Sequence, residues 1–219
     1  MPILNYVVED ITMYLPIFRG RMFELLALEF LIRNDLLGDK IIPIIEPVKM
    51  TTTLRRVIES FIEKRHEIGI VCNPTVGELV HESSQIISTI TEINGFREYL
   101  IPVLHMNEDC DTTYQQLSDY YSKDALIASC SQIENIPRCL SFVQDECLRY
   151  ILVGESREFT RQIPSNLGGK VLCADRFSKR QRNVDYIEDE DEFFSSDHIY
   201  FREDGFKGIS DYSIIGDEF

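Results

Sequence analysis

The 219-residue chain contains no tryptophan, only 11 glycines and 8 prolines, and no two cysteines in a CxxC spacing. Low glycine and proline content together with 44% hydrophobic residues excludes a disordered or fibrous chain. Without paired cysteine or histidine ligands, no structural zinc site is expected. The six cysteines are expected to be reduced thiols. This composition is that of one globular domain with a sizeable core.

Basic residues are scarce, because 22 Lys plus Arg stand against 37 Asp plus Glu, for a formal net charge of −15. This balance argues against general binding of nucleic acid or of an anionic membrane. Charged residues or prolines interrupt every apolar run before it reaches membrane-spanning length, and the N-terminus is acidic where a secretory signal is basic. We therefore expect a cytoplasmic protein without membrane segments.

Several motifs that identify an enzyme are also absent. The chain has no Walker loop, no GxGxxG after a strand, no GxSxG elbow and no HExxH. The sequence therefore does not reveal a reaction, and it does not show that the protein is an enzyme.

Short apolar runs rich in β-branched residues alternate with helix-compatible stretches along the chain. The predicted strands are 14–18, 41–45, 68–72, 100–104, 125–128, 150–153 and 171–174. Helices are predicted from Met22 to Arg33 and from about Thr52, with Thr51 among the capping candidates. An eighth strand is 212–215 or, as the less favoured choice, 198–201. Eight units predict a (β/α)8 TIM-barrel-like fold, and the alternative is a doubly wound parallel sheet.

We expect the whole chain, 1–219, to form a single domain with a charged loop insertion at about 178–204. The basic segment 176–182 and the acidic segment 185–192 predict a solvated loop or a lid over the barrel mouth. Phe219 follows the last strand almost at once, so no eighth helix is expected. Either an N-terminal segment covers that seam or the chain is truncated after Phe219.

The stretch 14–28, YLPIFRGRMFELLAL, followed by 41–48, IIPIIEPV, resembles the opening of the beta-protein-like family of phages and bacteria. The positions that match the family pattern are Arg19, Arg21, Glu24 and Glu46. The chain departs from the commoner phage-type pattern by having arginine instead of lysine at the basic pair, and Phe23 where glycine is usual. The resemblance implies a barrel-like fold and leaves the biochemical role undefined.

Polar residues follow every predicted strand. In a parallel β/α fold the loops after the strands gather at one face, so these residues are expected to converge. They are Arg19, Arg21, Glu46, Lys49, Asn73, His105, Asn107, Ser129, Glu155, Asp175, Arg176 and Asp217. A strand that leaves the core also needs polar residues at its end, so each of them can equally be structural.

Glu46 is the best single candidate because it ends the apolar run 41–45. A carboxylate there is partly desolvated unless a cation neutralises it. Arg19 or Arg21 is the expected partner. In a structural interpretation, Arg19, Glu24 and Glu46 form an ion-pair network that closes the barrel.

Two functions remain open. The first is a barrel protein that binds or transforms a small anionic ligand, such as a phosphorylated one, at the C-terminal rim of its strands. Its anion-binding residues would be Arg19, Arg21 and Lys49, and its catalytic residues Glu46, His105 and Asp175. Glu46, His105, Glu155 and Asp175 are also candidate ligands for Mg²⁺ or Mn²⁺. The second function is a non-catalytic interaction protein of phage–bacterium conflict, whose acidic surface binds a basic partner.

Overall fold

The computed structural model describes residues 12–121, 125–144, 148–164, 169–175 and 195–212. Strands that all pair in parallel alternate with helices along this part of the chain. The strands are β1 (Met13–Tyr14), β2 (Ile17–Phe18), β3 (Ile44–Ile45), β4 (Ile68–Val71), β5 (Leu100–His105), β6 (Leu126–Cys130), β7 (Leu148–Val153), β8 (Lys170–Cys173) and β9 (Gly208–Ser210). The helices are α1 (Met22–Arg33), α2 (Thr52–Glu63), α3 (Ser83–Thr91), α4 (Phe96–Tyr99), α5 (Cys110–Leu117), α6 (Ile136–Gln144), α7 (Arg157–Gln162) and α8 (Asp197–Tyr200), and the 3₁₀ turn Ile133–Asn135 precedes α6.

The two ends of the sheet belong to one extended segment, 13–18, which Pro16 divides into β1 and β2. Along the sheet the strand order is β1-β9-β8-β7-β6-β5-β4-β3-β2. On one side of the segment, Ile17 N donates to Asp211 O at 2.8 Å, and on the other, Ile42 N donates to Tyr14 O at 2.9 Å. The sheet thus closes on itself with eight strand positions. The predicted TIM-barrel-like fold is confirmed, and the doubly wound alternative is wrong.

Strand residues alternate between two apolar clusters. One cluster lies inside the barrel and consists of Met13, Leu15, Ile17, Ile42, Ile44, Val71, Ile101, Val103, Ile127, Leu152 and Val171. The other contains the intervening strand residues, such as Ile45, Ile70 and Leu104, together with the apolar faces of the helices. Because side chains of a strand point alternately to its two faces, most of the strands are apolar on both sides, as in a barrel wall covered by helices.

The first two helices begin where the sequence predicts. Helix α1 spans Met22–Arg33, and the carboxylate of Glu24 accepts the backbone N–H of Arg21 at 3.0 Å near its start. Helix α2 begins at Thr52, and the hydroxyl of Thr51 accepts the N–H of Leu54 at 3.1 Å. Each acceptor satisfies an N–H that has no partner within its helix.

The end of the barrel differs from the sequence prediction. The less favoured strand, 198–201, is wrong because Asp197–Tyr200 is the short helix α8. The last strand is Gly208–Ser210, and Tyr212 forms one further bridge with Ile17. Residues 213–215 of the favoured strand, residues 176–194 of the charged region and the place of an eighth helix lie outside the described residues.

Five of the six cysteines fall in the described part of the chain, and all five are free thiols. They are Cys72, Cys110, Cys130, Cys139 and Cys173. This agrees with the reduced state expected from their spacing. None of the helices in the same part of the chain has the length and apolarity that crossing a bilayer requires.

Candidate functional site

Three charged or ionisable residues lie two positions after a strand residue whose side chain points into the barrel. Ile17, Ile44 and Val103 point into the barrel, and the residues two positions further along are Arg19, Glu46 and His105. The two-residue period of a strand therefore directs these three side chains into the same end of the barrel. The convergence predicted for the ends of these strands is confirmed for this group.

Glu46 is fully buried and has polar contacts on both of its carboxylate oxygens. Its Oε2 atom is paired with Nη1 of Arg19. Its Oε1 atom accepts the N–H of Thr75 at 2.8 Å and the Thr75 hydroxyl at 3.1 Å, and it lies 3.2 Å from Nε2 of His105. A buried charge of this kind is tolerated only when it is both paired and hydrogen-bonded.

The surroundings of Glu46 keep it ionised. Burial by itself raises the pKa of a carboxyl group. Contact with His105, the charge of Arg19 and the Thr75 N–H outweigh burial and lower the pKa of Glu46 from 4.5 to about 2. The side chain therefore carries its negative charge at neutral pH, in the interior of the barrel.

Arg19 is only 1% exposed. In addition to its ion pair with Glu46, its guanidinium carbon lies 4.8 Å from the centre of the Tyr212 ring, within cation–π distance. Its backbone N–H donates to Glu24 at 3.4 Å. Of the predicted ion-pair network of Arg19, Glu24 and Glu46, the structure shows the Arg19–Glu46 pair, whereas Glu24 accepts a hydrogen bond from the backbone of Arg19.

The backbone of His105 is fixed by the side chain of Asn73. The Asn73 Oδ1 atom accepts the N–H of His105 at 2.9 Å, and its Nδ2 atom donates to the His105 carbonyl at 2.8 Å and to Oδ1 of Asn107 at 2.8 Å. The His105 imidazole is buried except for 14% of its surface. Its Nε2 atom is close to Glu46 but not aligned with it, and it makes no hydrogen bond with the described residues.

His105 opens onto a cavity of about 460 Å³ at the C-terminal end of the strands. Its lining consists of Thr75, Val76, His105, Met106, Asn107, Ser129, Ser131, Gln132, Asn135 and Tyr212. Hydroxyl and amide groups dominate this lining, and no carboxylate belongs to it in the described part of the chain. Volumes of this order are typical of small-molecule sites.

The other predicted site residues lie elsewhere. Arg21 is exposed at the start of α1, and Lys49 forms a surface ion pair with Glu78 at 3.2 Å. Asp175 and Glu155 are exposed beyond the ends of their strands. None of these four lines the cavity at His105, and Arg176 and Asp217 lie outside the described residues. The roles predicted for Arg21, Lys49 and Asp175 stay predictions.

The candidate metal ligands are not brought together. Glu46 and His105 are in contact, but Glu155 and Asp175 do not join them. Within the ranges that the structure describes, no group of three or more His, Cys, Asp or Glu side chains is placed to hold a metal ion. A Mg²⁺ site therefore has no support from the geometry of these residues.

A second cavity, of about 180 Å³, lies near the last strand and has a different character. It is lined in part by Asp197, His198 and Asp211. The hydroxyl of Tyr14 donates to Asp211 at 2.7 Å. Burial and the nearby charges of Asp175 and Asp197 nevertheless raise the pKa of Asp211. Carboxylates crowded in this way do not suit an anionic ligand.

Sequence reasoning did not select several residues of the larger cavity. Tyr212 lies two positions beyond the buried Ser210, so strand alternation indicates its inward direction once the last strand is placed correctly. Thr75 and the wall formed by Ser131, Gln132 and Asn135 come from loops and a 3₁₀ turn, where no periodic signal exists.

A comparison with models of known protein families finds no match, and a comparison with curated proteins also finds none. The resemblance of residues 14–48 to the beta-protein-like family therefore stays an expectation. The fold and the site together define a TIM-barrel-like α/β protein with a polar cavity at the C-terminal end of its strands.

Proposed function

We propose that this barrel binds or transforms a small anionic ligand in the cavity at His105. His105 contacts the anionic group, while Arg19 and Glu46 form the buried support beneath it. The observation that carries the proposal is the imidazole itself. It is mostly buried, it borders a cavity of about 460 Å³, and its Nε2 atom lies 3.2 Å from an ionised carboxylate without a hydrogen bond to the described residues.

Electrostatics support an anion at this position. The chain carries a formal charge of −15, yet no carboxylate lines this cavity among the described residues. Arg19 neutralises Glu46 within the barrel. An anion bound beside the His105 ring is therefore not opposed by a facing carboxylate among the described lining residues.

The same pair supports acid–base chemistry. A carboxylate beside an imidazole is an arrangement in which histidine serves as a proton donor and acceptor in many enzymes. If the protein transforms its ligand, His105 is the residue that donates a proton to the ligand or accepts one from it. Glu46 acts through His105 and does not contact the ligand.

The interaction-protein alternative depends on the acidic segment 185–192. These residues lie outside the described part of the chain, so no structural observation favours that function, and it stays a prediction.

Thermal unfolding with and without inorganic phosphate tests the proposal. Phosphate at ten times its Kd stabilises a protein with one site by about 1.4 kcal/mol, which for a chain of this length raises Tm by roughly 3 to 6 °C. We expect this rise in the wild type and its loss in His105→Gln, which removes the ionisable ring. The matched control is His81→Gln, because His81 is exposed and pairs with Asp109 outside this cavity.

The Tm values without phosphate show whether each variant is folded. A wild type that phosphate, sulfate and acetate all fail to stabilise would contradict the proposal. An equal rise in wild type and His105→Gln would remove His105 from the site.

A further inference from the structure

We infer that the ligand of the cavity at His105 carries several hydroxyl groups beside its anionic group, as a polyol phosphate or a sugar acid does. The inference rests on the proposed function for its anionic part. The wall of the cavity that begins at Ser129 indicates the chemical class of the rest of the ligand.

Ser129 is the neighbour of His105 across the sheet. The two residues are paired in register between β5 and β6. Both belong to the cavity lining, so the hydroxyl and the imidazole come from strands about 4.8 Å apart. A ligand whose anionic group contacts His105 therefore has its next atoms beside the Ser129 hydroxyl.

The wall continues beyond Ser129 with uncharged polar side chains. Ser131, Gln132 and Asn135 follow from the end of β6 and the 3₁₀ turn, and Asn107 follows from the end of β5. Hydroxyl and carboxamide groups both donate and accept hydrogen bonds. A ligand hydroxyl does the same, whereas a second anionic group would find no further cation among the described lining residues.

Several of these groups have unused hydrogen-bonding capacity. Ser129 is only 8% exposed, and its hydroxyl makes no hydrogen bond with the described residues. Ser131 and Gln132 are exposed, and Oε1 of Gln132 accepts a hydrogen bond from Nδ2 of Asn135 at 3.2 Å. A buried polar group such as the Ser129 hydroxyl is normally satisfied by protein, water or ligand. A ligand hydroxyl beside Ser129, with further hydroxyls along Ser131 and Gln132, would supply these hydrogen bonds in place of water.

The remaining lining is apolar or aromatic, from Val76, Met106 and Tyr212. The carbon-bound hydrogens of a polyol or sugar can pack against such groups while its hydroxyls bond to the polar wall. The cavity volume of about 460 Å³ accommodates a ligand of this size.

Calorimetric titration with matched pairs of probes tests the inference. The polyol probes are glycerol 3-phosphate, ribose 5-phosphate and glucose 6-phosphate, and the alkyl probes are propyl, pentyl and hexyl phosphate. Both members of a pair carry the same anionic group, and only the first carries hydroxyls. We expect at least one polyol phosphate to bind at least tenfold more tightly than its alkyl counterpart.

Substitutions in the cavity wall test whether these side chains cause the preference for a polyol phosphate. In Ser129→Ala combined with Gln132→Ala, the tenfold preference for the polyol phosphate should disappear. Ser118→Ala is the matched control, because Ser118 is exposed at the end of α5, away from this cavity. Retention of the full preference in the double variant would overturn the assignment of this wall.

The experiment distinguishes failure of the hydroxyl inference from failure of the proposed anion binding. If every polyol phosphate binds no better than its alkyl counterpart while phosphate still binds, the hydroxyl inference is overturned and the proposed function stands. If glucose binds as tightly as glucose 6-phosphate, the hydroxyl wall is supported and the anionic part of the proposed function is overturned. If none of the probes binds, both are overturned.

Discussion

Glu46 and Glu78 are each paired with a basic side chain, but the first pair lies inside the barrel and the second lies on its surface. Glu46 and Arg19 are 0% and 1% exposed, whereas Glu78 and Lys49 are 70% and 59% exposed. Glu46 also accepts two hydrogen bonds from Thr75 and contacts His105. The Lys49–Glu78 pair is a single contact at 3.2 Å.

The difference shows why strand position matters more than residue type in this chain. Both glutamates face a cation, but water screens the outer pair and not the inner one. A charge inside the barrel must be neutralised by a neighbour. Glu46 is therefore held in fixed contacts with Arg19 and His105 beside the cavity. The predictions below test this difference between the two pairs, and between the barrel interior and the surface in general.

The largest effect is expected from breaking the inner pair. Arg19→Ala leaves Glu46 buried without its cation and should lower the free energy of unfolding by about 3 to 5 kcal/mol, measured by urea denaturation. The double change Arg19→Met with Glu46→Leu should recover most of this loss, because it removes both charges. Strong destabilisation that the double change rescues would show that Arg19 is structural and would remove it from the predicted anion-binding residues. A loss below about 1 kcal/mol would contradict the role given to this pair.

The pH dependence of stability gives the next largest effect. The pKa of Glu46 is lowered from 4.5 to about 2, so its contribution to stability is present above pH 4.5 and is lost as the pH falls towards 2. A shift of this size corresponds to about 3 kcal/mol. Urea denaturation between pH 4.5 and pH 2 should therefore show that the free energy of unfolding falls more steeply with pH in the wild type than in Glu46→Gln. Glu78→Gln, the matched change on the surface, should follow the wild-type curve, and parallel curves for wild type and Glu46→Gln would contradict the assignment.

Much of the barrel could be predicted because a buried parallel strand is a short apolar run, and this chain separates its runs with clear helices. The bounds of α1, Met22–Arg33, and the start of α2 at Thr52 agree with the sequence prediction. The last strand was harder to place because Gly208–Ser210 has little apolar character. A Cβ at Gly208 would lie 2.4 Å from the carbonyl oxygen of Met13, so close pairing with β1 excludes a larger side chain there.

The site could be predicted only as far as the strands extend. Arg19, Glu46 and His105 follow directly from the alternation of their strands, and these are the residues that the structure brings together. Lys49 lies in a bend four residues after β3, and Asp175 lies two residues after the end of β8, so the alternation of these strands does not fix the direction of either side chain. The cavity wall at Ser131 and Gln132 depends on a turn, and its position became clear only from the structure.

A smaller effect is expected from packing in the barrel interior. In β4, a Cβ on Gly69 would lie 2.9 Å from Cγ1 of Ile44 and 3.1 Å from Cγ2 of Val103. Gly69→Ala should therefore lower the free energy of unfolding by roughly 1 to 3 kcal/mol, the usual cost of overpacking a core. The matched control is Gly38→Ala on the surface, where a Cβ meets nothing within 4 Å. Equal stability of the two variants would show that the interior adapts to the added methyl group.

The smallest effect is expected from the outer ion pair. Exposed pairs of lysine and glutamate typically contribute about 0 to 1 kcal/mol, because water and salt weaken their attraction and both side chains lose freedom when they pair. A double-mutant cycle with Lys49→Ala, Glu78→Ala and the double variant isolates the coupling energy between the two side chains. We expect a coupling below about 1 kcal/mol that decreases further as salt is added. The same cycle on Arg19 and Glu46 should give a much larger coupling that salt hardly changes, because both of those side chains are shielded from solvent. Similar coupling energies for the two pairs would show that burial inside the barrel does not set the strength of the inner pair.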